Sequence, residues 1–277
     1  MNNLKYITFL SLLFIAMISA IAKAQDANKT IATDLLLKGL LKADKSYIQK
    51  HVAKDYIQHN PMAEDGQQGL LKFVDYLKTL KTPMTIKPIR ILQDGDLVAI
   101  QSEYRMGVKL VVFDVFRFQD GKIVEHWDGS QAFISKTVSG RSMLDGPTQI
   151  LDKEKTDQNR QLITNFIQDI LIAGKADQIT TYIGKRYHQH NPAIADGLEG
   201  LGAFLKHLQK QKISFSYKKM HNIVAEGNFV LTQSEGEIGG KPKAFFDLFL
   251  VREGKIVEHW DVIQDIPEQM PHNNGMF

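Results

Sequence analysis

Two aspartates lie where a carboxylate is expensive. Asp114 sits in Phe113-Asp114-Val115-Phe116 and Asp247 in Phe246-Asp247-Leu248-Phe249. Burial among such neighbours disfavours the charged form and raises the pKa, which makes a carboxylate a useful acid or base near neutrality. A histidine and a second aspartate follow each of them, His126 with Asp128 and His259 with Asp261. A third group, His59-Asn60 and its repeat His190-Asn191, precedes them. Such residues suit proton transfer. His59, His126, Asp114 and Asp128 also compose a His/carboxylate set of the kind that suits zinc, iron or manganese. No H-x-x-x-H or similar local spacing supports a metal, so the expectation is a site with no metal and no cofactor. An unpaired buried carboxylate is costly for mere ligand binding, which favours an enzyme over a non-catalytic binding module.

These groups occur twice because most of the chain does. Tyr56-Ile57-Gln58-His59-Asn60-Pro61 returns as Tyr187-His188-Gln189-His190-Asn191-Pro192 at an offset of 131 residues. Gln101-Ser102-Glu103 returns as Gln233-Ser234-Glu235, offset 132. The octapeptide Gly121–Asp128 recurs unchanged as Gly254–Asp261, offset 133, and carries both tryptophans of the chain. A period of this length is too long for a solenoid and reads as two copies of a small domain. Asp145-Gly146-Pro147 followed by the charged run Asp152–Lys155 marks the join. The expected division is a leader over 1–24, one domain over 25–148 and a second over 149–277.

The elements that must position the site come from periodicity. Leu35, Leu36, Leu40 and Leu41 give a helix over Ile31–Ala43, and Lys45–Val52 gives a second short one. Asn60 before Pro61 is held out of the helical region, so the Tyr-x-Gln-His-Asn-Pro segment is extended or turn-like. Leu70, Phe73, Val74 and Leu77 line a third helix after the Asp65-Gly66 turn. Four strands follow, Thr85–Gln93, Leu97–Tyr104, Val108–Gln119 and Lys122–Asp128, with a hairpin at Asp120-Gly121. Helices followed by an antiparallel sheet define an α+β fold. Alternation sets Val124, His126 and Asp128 on one face and Ile123, Glu125 and Trp127 on the other. A two-residue turn pairs Phe118 with Ile123 and sets Asp114 opposite Trp127. A three-residue turn with a bulge pairs Phe118 with Lys122 and sets Asp114 opposite His126. The spacing leaves both open; the bulged register is favoured because it gathers Asp114, His126 and Asp128.

Composition narrows the rest. Of 277 residues, 43% are hydrophobic and 23% charged, which excludes a disordered or polytopic membrane chain. Without cysteine there is no disulfide, thiolate nucleophile or Cys-ligated cluster. The net charge of +3 falls towards zero once Lys5 and Lys23 leave with the leader, so nothing points to nucleic acid or an anionic membrane. The leader itself has one cation, Lys5, then an apolar run Ile7–Ile21 and the small-residue site Ala22-Lys23-Ala24. That is the form of a cleaved secretory signal, too short to span a bilayer. It predicts an exported, periplasmic or secreted protein with no stable membrane anchor.

On these motifs each copy resembles a SnoaL-like domain of the nuclear transport factor 2-like superfamily, which includes polyketide cyclases and ketosteroid isomerase. The resemblance runs over Ile31–Leu144 and Leu162–Phe277. It implies two tandem cone-shaped α+β barrels, each with about three N-terminal helices wrapped on a curved antiparallel sheet around a pocket. It implies a small-molecule carbonyl or apolar ligand as partner, and cofactor-free chemistry of the aldol-cyclase, lyase or isomerase type, in which a carboxylate removes a proton beside a carbonyl. His126 with Asp128 and His259 with Asp261 match the catalytic pair, with Asp114 and Asp247 on the neighbouring strand. His59, Asn60 and Tyr56, with His190, Asn191 and Tyr187, are expected to line the pocket. Family members often pair, so the fusion is expected to form an intramolecular pseudo-dimer, with homo-oligomers as the alternative. The tail residues Ser142-Met143-Leu144 and Gly275-Met276-Phe277 stand equally far beyond Trp127 and Trp260 and read as lids or interface straps.

Overall fold

A computed structural model describes residues 27–277. The proposed leader, residues 1–24, lies outside the described residues. Among those described, no helix is long and apolar enough to cross a membrane.

Each copy builds the same units. Helix α1 covers 27–34 and widens into a π-helical turn at Leu35–Leu40; α2 is Lys45–His51. The Asp44 side chain caps α2 by accepting the Tyr47 amide at 3.0 Å. Strand β1 (Val52–Gln58) leads to α3 (Gly66–Thr79), then to β2 (Met84–Asp94), β3 (Leu97–Met106), β4 (Val108–Gln119) and β5 (Lys122–Ala132). The second copy repeats this with α4 (Thr156–Phe166, continued by a π-helical Ile167–Ile172), α5 (Ile179–Tyr182), β6 (Ile183–Gln189), α6 (Gly197–Lys210), β7 (Phe215–Glu226), β8 (Phe229–Ile238), β9 (Lys241–Arg252) and β10 (Lys255–Asp265).

The strand orders are β1-β5-β4-β3-β2 and β6-β10-β9-β8-β7. The α+β class holds, with two corrections. The sheets are open, with β1 and β2 as unpaired edges of the first, so neither copy is a closed barrel. They are also mixed, because β1 and β6 run parallel to β5 and β10. The reason lies in the Tyr-x-Gln-His-Asn-Pro segment: its first half pairs as a strand rather than forming a free turn.

The hairpin register follows neither expected alternative. Asp120 and Gly121 both take positive φ, 51° and 72°, the two-residue turn that an Asp-Gly pair favours. Phe118 therefore pairs with Ile123. Val124 is then an extra residue: Arg117 pairs with Glu125, Phe116 with His126 and Asp114 with Asp128. The bulge lies inside the strand rather than at the turn. It still gathers Asp114, His126 and Asp128 on one face, as the favoured register required. The second copy repeats it, with Asp247 opposite Asp261.

Each sheet then has two apolar faces. One packs on its own helices; for the first copy this core includes Leu36, Ile48, Val74, Ile100, Phe116 and Ile123. The other faces pack on one another in a shared core of Phe113, Val115, Trp127, Phe246, Leu248 and Trp260. The contacts are reciprocal. Ser130 N donates to Gln264 Oε1, and Ile263 N to Gln131 Oε1. Lys29 pairs with Glu226, and Arg160 with Asp94. Reciprocity of this kind defines an isologous interface. The chain is an intramolecular pseudo-dimer.

Candidate active site

The pleat of β1 sorts the motif residues. Tyr56, Gln58 and Asn60, spaced by two, face the helix side of the sheet and line a cavity of about 290 Å³. Across it stand Asp114 and Phe116 from β4 and His126 and Asp128 from β5. Apolar side chains including Leu70, Phe73, Leu77, Met84 and Leu110 form the remaining wall.

The polar groups form one chain of hydrogen bonds. Tyr104 OH donates to Asp114 Oδ2 at 3.1 Å. His126 Nε2 lies 3.2 Å from Asp114 Oδ1, and its Nδ1 lies 3.0 Å from Gln58 Oε1. Gln58 Oε1 also accepts the Asn60 amide at 2.9 Å, which fixes it as the acceptor end. Gln58 Nε2 donates to Tyr56 OH at 3.0 Å. Asn60 Nδ2 donates to Asp128 Oδ2 at 2.5 Å. The other oxygen of Asp128 is buried and has no partner among the described residues. Burial pushes Asp128 up to about 6, helped by Asp114 and opposed by His126 and the Asn60 hydrogen bond.

The second copy repeats the network. His259 bridges Asp247 Oδ1 (3.1 Å) and Gln189 Oε1 (3.0 Å). Asn191 Nδ2 donates to Asp261 Oδ2 at 2.6 Å, and Asp261 Oδ1 is likewise buried without a partner. Burial raises Asp261 to about 6, with Asp247 adding and His259 subtracting. Burial pulls His259 down, but its hydrogen bond to Asp247 and the charges of Asp261 and Asp247 outweigh it, so its pKa is raised. Tyr187 mirrors Tyr56, accepting from Gln189 Nε2 at 3.2 Å.

The structure brings together eight of the twelve expected residues, four in each copy: Asp114, His126, Asp128 and Asn60, and Asp247, His259, Asp261 and Asn191. Tyr56 and Tyr187 join them through the glutamines. His59 and His190 do not. One residue out of step with Gln58, His59 points to the opposite face and stacks on Trp127, with ring centroids 5.1 Å apart. Its Nε2 meets Glu125 Oε1 at 2.8 Å, and its Nδ1 donates to the Gly275 carbonyl at 3.0 Å. His190 stacks on Trp260, meets Glu258 and donates to the Ser142 carbonyl at 2.6 Å. Both are interface residues, each held by the tail of the other copy. The tails act as straps between the copies. The same placement removes His59 from any metal set. Asp114, His126 and Asp128 do bring ligand atoms within 4.8 Å of one another, as do Asp247, His259 and Asp261. A cation there would have to take His126 Nε2 away from Asp114, while Asp128 Oδ1 stands without a partner among the described residues.

Sequence reasoning passed over Gln58, Gln189, Tyr104 and Tyr217. The glutamines carried a signal, since they share the period-two face of Tyr56 and Asn60. The tyrosines carried none, because they do not repeat at one position.

With this geometry in hand, the comparisons are direct. A family model for the SnoaL-like domain matches residues 36–126 and again 163–259. The chain belongs to the SnoaL-like domain family. Among solved structures, wild-type IdmH from Streptomyces antibioticus is 23% identical with a TM-score of 0.34, covering 38% of this chain and 91% of that one. TsrD from Streptomyces laurentii is 15% identical, TM-score 0.35, covering 39% and 90%. An LEH-like epoxide hydrolase from M. tuberculosis is 19% identical, TM-score 0.33, covering 38% and 78%. No curated protein matches the chain. The first copy has a cavity lined by a half-satisfied carboxylate, Asp128, and the second copy repeats that carboxylate as Asp261.

Proposed function

We propose that each SnoaL-like copy is an acid/base site for a small carbonyl compound, working without a cofactor, in a protein exported by its leader. The observation that carries this reading is the oxygen of Asp128 without a partner among the described residues, on a carboxylate that lines the cavity and that burial pushes up to about 6. A carboxylate of that kind is ionised at neutral pH and close to the pKa at which a general base works best.

Asp128 Oδ1 takes a proton from the carbon next to the carbonyl. The C–H electron pair becomes the enolate double bond, and charge moves to the carbonyl oxygen. Tyr56 lines the same cavity, and its hydroxyl accepts from Gln58 while keeping its own proton uncommitted among the described residues. That proton is the donor for the enolate oxygen. Returning the Asp128 proton to another carbon completes an isomerisation. Attack of the enolate carbon on a second carbonyl, whose oxygen takes the proton, completes an aldol closure. Asp114, with Tyr104, orients His126, whose proximity opposes the rise in the Asp128 pKa.

The test is exchange of α-protons for deuterium in a panel of small ketones, followed by NMR. Replacing both bases, Asp128→Asn with Asp261→Asn, is expected to lower exchange by ~10²–10⁴-fold with ligand affinity kept. Wild-type exchange is expected to fall as the pH drops through about 6, because the base is then protonated. Exchange unchanged in the double variant removes the assignment; ligand binding without any exchange in the wild type leaves a binding module.

A further inference from the structure

The two sites keep one contact by different means. In the first copy the hydroxyl on Asp114 comes from Tyr104 on β3, whose partner across the strand pair is Ile86 on β2. In the second copy the residue at the Tyr104 position is Gly236, and its cross-strand partner is Tyr217 on β7. Tyr217 OH lies 3.1 Å from both oxygens of Asp247. The tyrosine has changed strands and its hydrogen bond has stayed. Passive copying of a duplicated domain would leave the residue at its original position.

The exchange alters the space around the carboxylate. Gly236 cannot carry a side chain: a Cβ there would lie 2.1 Å from the Ser216 carbonyl oxygen and 2.8 Å from the Phe245 ring. Phe245 takes the position of Val112, is fully buried, and stacks on Tyr217 at 4.2 Å. Phe215, at the position of Met84, packs edge-on against both rings. In the first copy Val112, Met84 and Tyr104 bound the 290 Å³ cavity. In the second, three aromatic rings pack together over the same wall.

We infer that the two sites are divided by size: the first takes a bulky apolar carbonyl compound, the second a small one, and the pairs Val112/Phe245 and Ile86/Tyr217 set the limit. This rests on the acid/base reading for the word carbonyl, and on packing alone for the size. Tyr104 and Tyr217 are positioning residues that hold the inner carboxylate towards its histidine.

The experiment is a fluorescence titration of the full chain with prodan, a neutral naphthyl ketone that brightens in a dry cavity. One molecule is expected per chain. Val112→Phe should weaken it by ~tenfold or more, by filling the occupied space. In that background Phe245→Ala should restore a single site in the second copy. Phe245→Val with Tyr217→Ile, which opens the same wall while leaving Gly236 in place, should do the same. Thermal unfolding checks that each variant is folded. Two equal sites in the wild type, or an unchanged titration in Val112→Phe, overturns the proposal. The titration needs no turnover: absent deuterium exchange with the expected stoichiometry sinks the catalytic reading alone, and intact exchange with two equal prodan sites sinks the size limit alone.

Discussion

Among the described residues, Asp128 and Asp261 each bond an asparagine with one oxygen and nothing with the other. That arrangement costs stability when the group is charged. Burial raises each to about 6 in the folded chain, against an ordinary value of 3.8. The folded state therefore binds the proton more tightly than the unfolded one. The stabilising contribution is complete below the unfolded pKa and is lost as the pH rises through about 6. Two units correspond to about 3 kcal/mol per residue, as an order of magnitude. Asp128→Asn should accordingly raise the melting temperature at about pH 8 and leave it little changed at about pH 4, where the wild-type group is already neutral. Calorimetry across that range checks it, and equal effects at both ends would refute the assignment. At this scale the sequence was informative about Asp114, His126 and Asp128, because acidic and imidazole groups among apolar strand residues stand out. It was misleading about His59, whose type suggested chemistry while its parity along β1 sent it to Trp127 and Glu125.

At the scale of elements, the site depends on one extra residue. Val124 interrupts the pairing of β4 with β5, and Val257 that of β9 with β10. Without the bulge, the two-residue turn would set Trp127 opposite Asp114 and turn His126 and Asp128 to the other face. Deleting Val124, by contrast, should keep prodan binding in the first copy, because Arg117–Glu125, Phe116–His126 and Asp114–Asp128 then follow the two-residue turn with no residue left over. Circular dichroism and the same titration read fold and binding; a deletion variant that folds but no longer binds prodan contradicts the register argument. The Asp-Gly turn was legible, since two positive-φ residues suit it. The bulge was not, because no local residue type demands it. It is selected by what each face of the strand must meet: helices and cavity on one side, the second copy on the other.

At the scale of the whole molecule, the two copies are each other's cover. Phe113, Val115 and Trp127 are buried against Phe246, Leu248 and Trp260. Each tail crosses to the other copy: Asn274 donates to the Gln58 carbonyl and to Asp65, while Arg141 pairs with Asp196. These contacts hold the segments that carry Gln58-Asn60 and Gln189-Asn191. A fragment of residues 27–148 would expose the apolar face and lose the strap on His59. It should self-associate through that face as a dimer, or aggregate. Light scattering on the purified fragment checks this; a stable monomer at micromolar concentration would show that the copies do not depend on one another.

The repeat, the α+β class, the helix faces and the candidate carboxylates and histidines were all legible in the sequence alone. Each follows from residue type and short-range period, which act over a few positions. Tertiary structure decided the rest. It set β1 parallel to β5, moved the bulge into the strand, turned His59 to the interface and supplied the Asp114 and Asp247 hydroxyls from different strands. Those outcomes depend on which surfaces meet across more than a hundred residues of chain, as between Asn274 and Gln58. No local pattern of residues encodes a partner at that distance.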